Sequence, residues 1–136
     1  MPRYTLGETF QLVREVDRYR PLYYAGASGD FNPIHIDAEV AQLAGLGGTI
    51  LQGLCTLAWA VDCFARYLGD PGAVTKVHAR FSRPVALEDT LTFRGVVTEV
   101  DGERLRASVR AENQRGEEVL KDVTVEGRAL RGGGRA

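Results

Sequence analysis

The sequence has few cysteines and histidines and no excess of either charge. Of its 136 residues, two are cysteine and two are histidine, and their spacing matches no Cys/His zinc site. Lys and Arg total 17 against 18 Asp and Glu, which provides no basic surface for nucleic acid. No apolar run approaches the roughly 18 residues of a membrane span, and the first residues lack a signal-peptide segment. We therefore expect a cytoplasmic protein that binds neither nucleic acid nor membrane.

The two cysteines, Cys55 and Cys63, are too far apart to form a disulfide. They lie in a segment predicted below to be one helix, where eight residues span about 12 Å, whereas a disulfide needs Cα atoms within about 7 Å. We interpret both as small buried side chains. A chain of this length can bury a core without a cross-link, so we expect one domain over residues 1–130. The glycine-rich residues 131–136 are expected to form a flexible tail.

The first half of the sequence predicts one strand and three helices. The expected bounds are 7–16 for an edge strand, 17–27 for a helix capped by Asp17, 38–44 for a helix capped by Asp37, and 53–68 for a long helix. The apolar side of the first helix would carry Tyr19, Leu22, Tyr23 and Gly26. The long helix has no charged residue before Asp62. Because it is apolar nearly all round for two to three turns, we expect it to be buried on several sides.

The second half of the sequence changes to a period of two, which is typical of strands. The expected strands are 73–82, 90–100, 104–112 and 119–130, with hairpin turns at Asp101-Gly102 and at Gln114-Arg115-Gly116. The segments from Thr90 onward would form an antiparallel meander. A sheet that follows an apolar helix must curl around it to cover it. The predicted fold is therefore α+β, a hot-dog fold in which a second copy would cover the remaining side of the helix.

A loop between the first two helices contains three polar residues, Asp30, Asn32 and His35. A carboxyl and an imidazole can act together as an acid and a base near neutral pH. The same residues also have ordinary structural roles, since Asp30 and Asn32 can hold turns and His35 can be a buried, hydrogen-bonded histidine. Composition and spacing alone leave both interpretations open.

The segment from Tyr24 to His35, which reads YAGASGDFNPIH and is followed after five residues by Ala41, resembles the hydratase motif of the MaoC-like family. That family includes (R)-specific enoyl-CoA hydratases and (3R)-hydroxyacyl-ACP dehydratases of hot-dog fold. The resemblance extends along nearly all of the chain. The segment YLGDPGAVT at 67–75 and the following Arg80-Phe81 look most like the catalytic subunit of actinobacterial type II fatty-acid dehydratases.

The resemblance implies a role for four residues. Asp30 and His35 would be the catalytic dyad, Asn32 would organise the loop at the substrate site, and the Gly53 N–H would hold the thioester oxygen. The implied reaction is reversible hydration of (2E)-enoyl thioesters of CoA or acyl carrier protein to (3R)-hydroxyacyl thioesters. This chemistry needs no metal or redox cofactor. Because one curled sheet cannot enclose an apolar helix by itself, we also expect a homodimer, or a heterodimer with a paralogue.

Gln52 departs from the family pattern, which commonly has His-Gly where this chain has Gln52-Gly53. We expect the change to tune the mouth of the pocket and to leave the chemistry intact. Two other functions remain open: a non-catalytic subunit that only binds the acyl chain, and a thioesterase that uses Asp62 as its base. Arg80 and Arg83 are candidates for a phosphate contact or for an exposed strand edge.

Overall fold

A computed structural model describes residues 4–128. The regular elements are β1 (Thr9–Glu15), α1 (Arg20–Ser28), α2 (Ala38–Leu43), α3 (Gly53–Leu68), β2 (Val74–Phe81), β3 (Thr90–Asp101), β4 (Arg104–Glu112) and β5 (Glu118–Arg128). Two short 3₁₀ turns, Pro33–His35 and Pro71–Ala73, precede α2 and β2. All the predicted elements are present, with bounds that differ by a few residues. The predicted tail and the last two residues of the predicted final strand lie outside the described residues.

The five strands form one antiparallel sheet in the order β1-β3-β4-β5-β2. This confirms the predicted meander from Thr90 onward and the edge position of β1. Along β3 and β4, buried and exposed residues alternate, because successive side chains of a strand point to opposite faces. The hairpin turns contain Gly102 and Gly116 with φ of 60° and 78°, a backbone region that glycine enters without steric cost.

The helix α3 packs against the buried face of this sheet and contributes much of the core. Its fully buried residues include Ala60 and Phe64, which contact the apolar side of the strands. Cys55 and Cys63 are buried and free, as predicted. A curled sheet around a long apolar helix confirms the hot-dog architecture. Within residues 4–128, no helix has the length and apolar character needed to cross a membrane.

The start and the apolar side of α1 differ from the prediction. The helix begins at Arg20, and its N-cap is Tyr19, which makes no side-chain capping bond. Asp17 instead accepts hydrogen bonds from the Tyr19 N–H and from the Arg20 side chain. Because proline has no N–H and fits only the first turn, Pro21 sets the helix start at Arg20. The buried residues of α1 are Pro21 and Ala25, whereas the predicted apolar side is largely exposed: Tyr19, Leu22 and Tyr23 are 52%, 53% and 65% accessible.

Candidate active site

The loop that follows α1 is built from side-chain to backbone hydrogen bonds. Gly29 ends α1 with φ of 81°, a left-handed conformation that favours glycine. The Ser28 hydroxyl then accepts a hydrogen bond from the Asp30 N–H at 3.1 Å. Asp30 accepts one from the Asn32 N–H at 3.3 Å, and Asn32 accepts one from the Ile34 N–H, also at 3.3 Å. This chain of short-range bonds fixes the turn that leads to His35.

The structure brings Asp30 and His35 together. The Asp30 Oδ2 atom lies 3.8 Å from the His35 Nε2 atom. The other ring nitrogen, Nδ1, lies 2.8 Å from the Ile50 carbonyl oxygen. Since a carbonyl only accepts hydrogen bonds, Nδ1 must carry the proton, and Nε2 of the neutral ring then presents a lone pair toward Asp30. The His35 side chain is 9% exposed and that of Asp30 is 43% exposed, so solvent or substrate reaches the pair from the aspartate side.

Asn32 makes contacts that hold the turn before His35, which fit the loop-organising role that the resemblance implies. The side chain of Asn32 caps the 3₁₀ turn Pro33–His35. Its backbone carbonyl oxygen accepts a hydrogen bond from the His35 N–H at 3.0 Å. The turn interpretation and the functional interpretation therefore describe the same contacts, because the turn that Asn32 holds is the one that carries His35.

Gly53 and His35 line one cavity of about 310 Å³. Gly53 is the first residue of α3. At that position the backbone N–H has no hydrogen-bond partner within the helix, and it lies at the positive end of the helix dipole. Thr56, Phe81 and Arg83 also line this cavity. The Phe81 ring lies so close that a Cβ atom on Gly53 would sit 2.9 Å from its Cε1 atom. The cavity therefore joins His35 to a backbone N–H at a helix start, and Asp30 lies next to it through its 3.8 Å contact with His35.

Gln52 is not at the mouth of the pocket, so that expectation was wrong. It is 1% exposed, and its Nε2 atom donates to the Pro21 carbonyl at 2.9 Å and to the Asp30 carbonyl at 3.5 Å. The side chain thus turns away from its own helix and into the protein. The sequence signal available was a polar residue immediately before a long apolar helix, which does not by itself show where the amide points.

The remaining charged candidates form ion pairs at the surface. Asp62 accepts a hydrogen bond from Arg66 at 2.8 Å and lies 3.6 Å from Arg14. Arg80 lies 3.6 Å from an oxygen of Asp122. The further candidate Arg83, at the cavity, lies 3.1 Å from Glu117.

A larger concave surface, of about 580 Å³, lies elsewhere, on the sheet. Its lining includes Arg106, which pairs with Glu99 and Glu126 of the same surface. None of the predicted site residues lines it. In the part of the chain that the structure describes, no three His, Cys, Asp or Glu side chains are grouped as metal ligands.

Residues 7–119 match the family described as MaoC like domain. The chain belongs to this family. A 3-hydroxybutyryl-CoA dehydratase of Methylorubrum extorquens is 30% identical over 118 residues, which cover 86% of this chain and 75% of that protein. The peroxisomal enoyl-CoA hydratase 2 of Arabidopsis thaliana is 46% identical over 66 residues, 47% of this chain. The chain spans only 21% of the length of that relative.

Solved structures of MaoC-like proteins share this fold. The unliganded R-hydratase PhaJ1 of Pseudomonas aeruginosa superposes with a TM-score of 0.83 at 30% sequence identity. The match covers 90% of this chain and 80% of that one. The structural similarity therefore extends over nearly all of the chain.

Proposed function

We propose that this protein catalyses reversible addition of water to (2E)-enoyl thioesters, giving (3R)-hydroxyacyl thioesters. The proposal rests on one observation: two proton acceptors, Asp30 and His35, lie beside a cavity that is also lined by Gly53 at the start of α3. The 3.8 Å between Asp30 Oδ2 and His35 Nε2 is too long for a direct hydrogen bond and suits two groups that act on one water molecule. Relatives named as hydratases and dehydratases support the same reaction.

Asp30 and His35 are the two groups that can accept a proton from water and return one to the substrate. With Nδ1 held by the Ile50 carbonyl, neutral His35 can accept a proton at Nε2, and ionised Asp30 can accept one at its carboxylate. The water oxygen bonds to C3 of the enoyl group as one of its protons passes to the dyad. The protonated dyad then delivers a proton to C2. One O–H bond and the C2=C3 π bond break, and one C3–O bond and one C2–H bond form.

The start of α3 would stabilise the charge that develops during this addition. Attack at C3 moves negative charge to the thioester oxygen, which becomes enolate-like. The Gly53 N–H and the positive end of the helix dipole favour an oxygen in that position. Loss of one such donor typically costs about 10²–10³-fold in rate. Asn32 contributes by holding the turn that presents His35.

The alternative functions have less support. A thioesterase would need Asp62 as its base, but Asp62 is paired with Arg66 at 2.8 Å and does not line the cavity that contains His35 and Gly53. A non-catalytic acyl-binding subunit would have no use for the acid–base pair Asp30 and His35.

We also propose that the substrate is carried by CoA or by acyl carrier protein, that no cofactor takes part, and that the protein is cytoplasmic. The name of the Methylorubrum relative favours CoA. Arg83, at the rim of the cavity with about half of its side chain exposed, is the candidate contact for a carrier phosphate.

The assembly that we propose is a homodimer, with a heterodimer as the alternative if a paralogue takes the second place. Large apolar side chains remain exposed on α1 and at the start of α3, including Tyr23 at 65% and Leu54 at 58%. The Arg20 guanidinium lies 5.9 Å from the ring centres of both Tyr23 and Trp59, so these residues form one surface, and a second copy would bury it. Light scattering should give about twice the 14.9 kDa of one chain, whereas the mass of a single chain at micromolar concentration would contradict the proposal.

One assay separates the three functions. The purified protein is mixed with crotonyl-CoA, with a long-chain enoyl-CoA and with the corresponding (3R)-hydroxyacyl-CoA, and both ultraviolet absorbance and free thiol are followed. A hydratase removes the conjugated enoyl absorbance without releasing thiol and restores it from the hydroxyacyl substrate. Thiol release would identify a thioesterase, and binding without any change would identify an acyl-binding subunit.

A further inference from the structure

Gln52 connects three parts of the site through one buried side chain. It is the residue immediately before α3, yet its side chain makes no capping bond to that helix. Its amide instead contacts the first turn of α1 at Pro21 and the loop at Asp30. Because the Gln52 backbone leads directly into Gly53, the same residue lies between the dyad and the N–H proposed to bind the thioester oxygen.

The contacts of Gln52 require a group with two donors. Both partners are backbone carbonyl oxygens, which only accept hydrogen bonds, so the NH₂ end of the amide must face them. The bond to Pro21 is short, at 2.9 Å, and the contact with Asp30 is long, at 3.5 Å. A glutamate would place oxygen against oxygen, and a neutral histidine has a single N–H to offer.

The opposite end of the amide has no comparable role. The Gln52 Oε1 atom is buried and accepts no hydrogen bond within residues 4–128. A buried acceptor without a partner lowers stability, because it has lost its hydration. This cost offsets part of the stabilisation that the two N–H contacts give. The presence of Gln52 calls for a different explanation from packing.

We infer that Gln52 is a positioning residue, which sets the distance between the Asp30 loop and the start of α3 by holding the Asp30 and Pro21 carbonyls. The inference rests on the proposed function, because it concerns the geometry of the dyad. Substrate bound at Gly53 must present C2 and C3 to Asp30 and His35 at the same time. A displacement of about 1 Å between such groups can lower the rate by about 10²-fold.

Three variants of the full chain test this role: Gln52→Met, which has a similar volume and no donor, Gln52→His, which keeps one donor, and Gln52→Glu, which keeps the shape and reverses the polarity. For Gln52→Met we expect kcat with crotonyl-CoA to fall about 10- to 100-fold, with KM changed by less than about 3-fold and Tm not reduced. Gln52→His should retain more activity than Gln52→Met, and Gln52→Glu should retain the least.

The order of the variants distinguishes positioning from space-filling. If Gln52 only filled space, Gln52→Met would be the most active variant and activity would follow Tm. Gln114→Met is the control for loss of an amide that joins two segments: Gln114 bonds to Asp89 and Thr90, is exposed and lies far along the chain from the loop. The kcat of this variant should be unchanged. A Gln52→Met enzyme with kcat within twofold of the original would overturn the inference.

Asp30→Asn, measured in parallel, separates this inference from the proposal on which it rests. If Asp30→Asn is inactive while Gln52→Met keeps its kcat, only the positioning role is wrong. If Asp30→Asn retains full activity, the dyad itself is wrong and with it the proposed mechanism.

Discussion

The two ends of α3 are held in place by different kinds of interaction. At its start, polar groups dominate: Gln52 reaches two backbone carbonyls, and Gly53 lies at the cavity with His35. At its end, aromatic rings dominate. Tyr67 stacks on Phe10 with ring centres 4.4 Å apart and an interplanar angle of 15°, and the Tyr4 hydroxyl donates to the Leu68 carbonyl at 3.1 Å.

This difference separates stability from turnover along one helix. The aromatic end buries large side chains in close contact, and a stacked aromatic pair contributes about 0.5–1.5 kcal/mol beyond the area that it buries. The polar end has a cavity and a backbone N–H, where we propose that substrate binds. Changes at the start of α3 should therefore act mainly on rate, and changes at its end mainly on the free energy of unfolding.

The largest effect is expected at the dyad. Asp30→Asn and His35→Ala should each lower the hydration rate by at least about 10²-fold, because each removes one acid–base group. Circular dichroism should show the fold intact. The double variant should lose little more than either single variant, since both groups act on one water molecule. Near-original rates for both single variants would exclude Asp30 and His35 as the catalytic pair.

The next effect is expected at Gly53. A side chain there would crowd the thioester oxygen and meet the Phe81 ring, which lies 2.9 Å from the position of a Cβ atom. Gly53→Val should lower turnover strongly, by an amount approaching the roughly 10²-fold loss of an oxyanion donor. Since Phe81 is 58% exposed and has room to move, Tm should change less.

A second variant locates the cause of that loss. In Gly53→Ala combined with Phe81→Leu, the clash with the ring is relieved but the new Cβ remains beside the N–H. Continued loss of turnover supports the oxyanion contact. Recovery would instead assign the loss to displacement of Phe81.

At the other end of α3, a small change should alter stability and leave turnover unaffected. Gly95 pairs with Phe10 across β1 and β3, and a Cβ on Gly95 would overlap two atoms of the Phe10 ring. Gly95→Ala must push this ring out of its stack with Tyr67, at a cost of about 1–3 kcal/mol. Urea unfolding measures the cost, and kcat per folded molecule should be unchanged.

Phe10→Leu provides the control for that prediction, because it makes room for the added methyl group. The combined variant should lose less stability than the sum of the two single changes. Strict additivity would show that the ring is not what Gly95 accommodates.

The smallest effect is expected at Tyr67. Its hydroxyl donates to Glu8 at 2.6 Å, and burial raises its pKa to about 12, so it remains a donor throughout the neutral range. Tyr67→Phe keeps the stacked ring and removes this bond, which should cost about 1 kcal/mol in urea unfolding. No measurable cost would mean that the stack alone holds Tyr67.

The sequence was sufficient for the sheet and for α3 because both follow from periodic burial. Alternation along β3 and β4 and the uninterrupted apolar start of α3 are produced by the same core that those elements form. The loop with Asp30 and His35 was found from its turn-forming residues and from a family resemblance. In each case the determining contacts are local or repeat along the chain.

The sequence was insufficient where a contact joins distant segments. Gln52 bonds to Pro21, 31 positions away, and a lone polar residue carries no sign of its partner. The prediction of the apolar side of α1 was wrong for a related reason, because the buried side is set by contacts with other segments. The small Ala25 allows close packing, and large side chains such as Tyr23 remain outside it.

The two buried cysteines give each half of α3 a chemical reporter of local unfolding. Burial raises the pKa of Cys55 to about 11 and that of Cys63 to about 12, so at neutral pH each thiol is both protonated and inaccessible. A thiol-specific reagent can react only when the surrounding segment opens, and the labelling rate then gives the free energy of that opening. Cys63 also donates to the Phe93 carbonyl at 3.7 Å, deep in the sheet contact, whereas Cys55 lies in the first turn beside the site. Faster labelling of Cys55 would show that the unaltered protein opens first at the end that carries the proposed site.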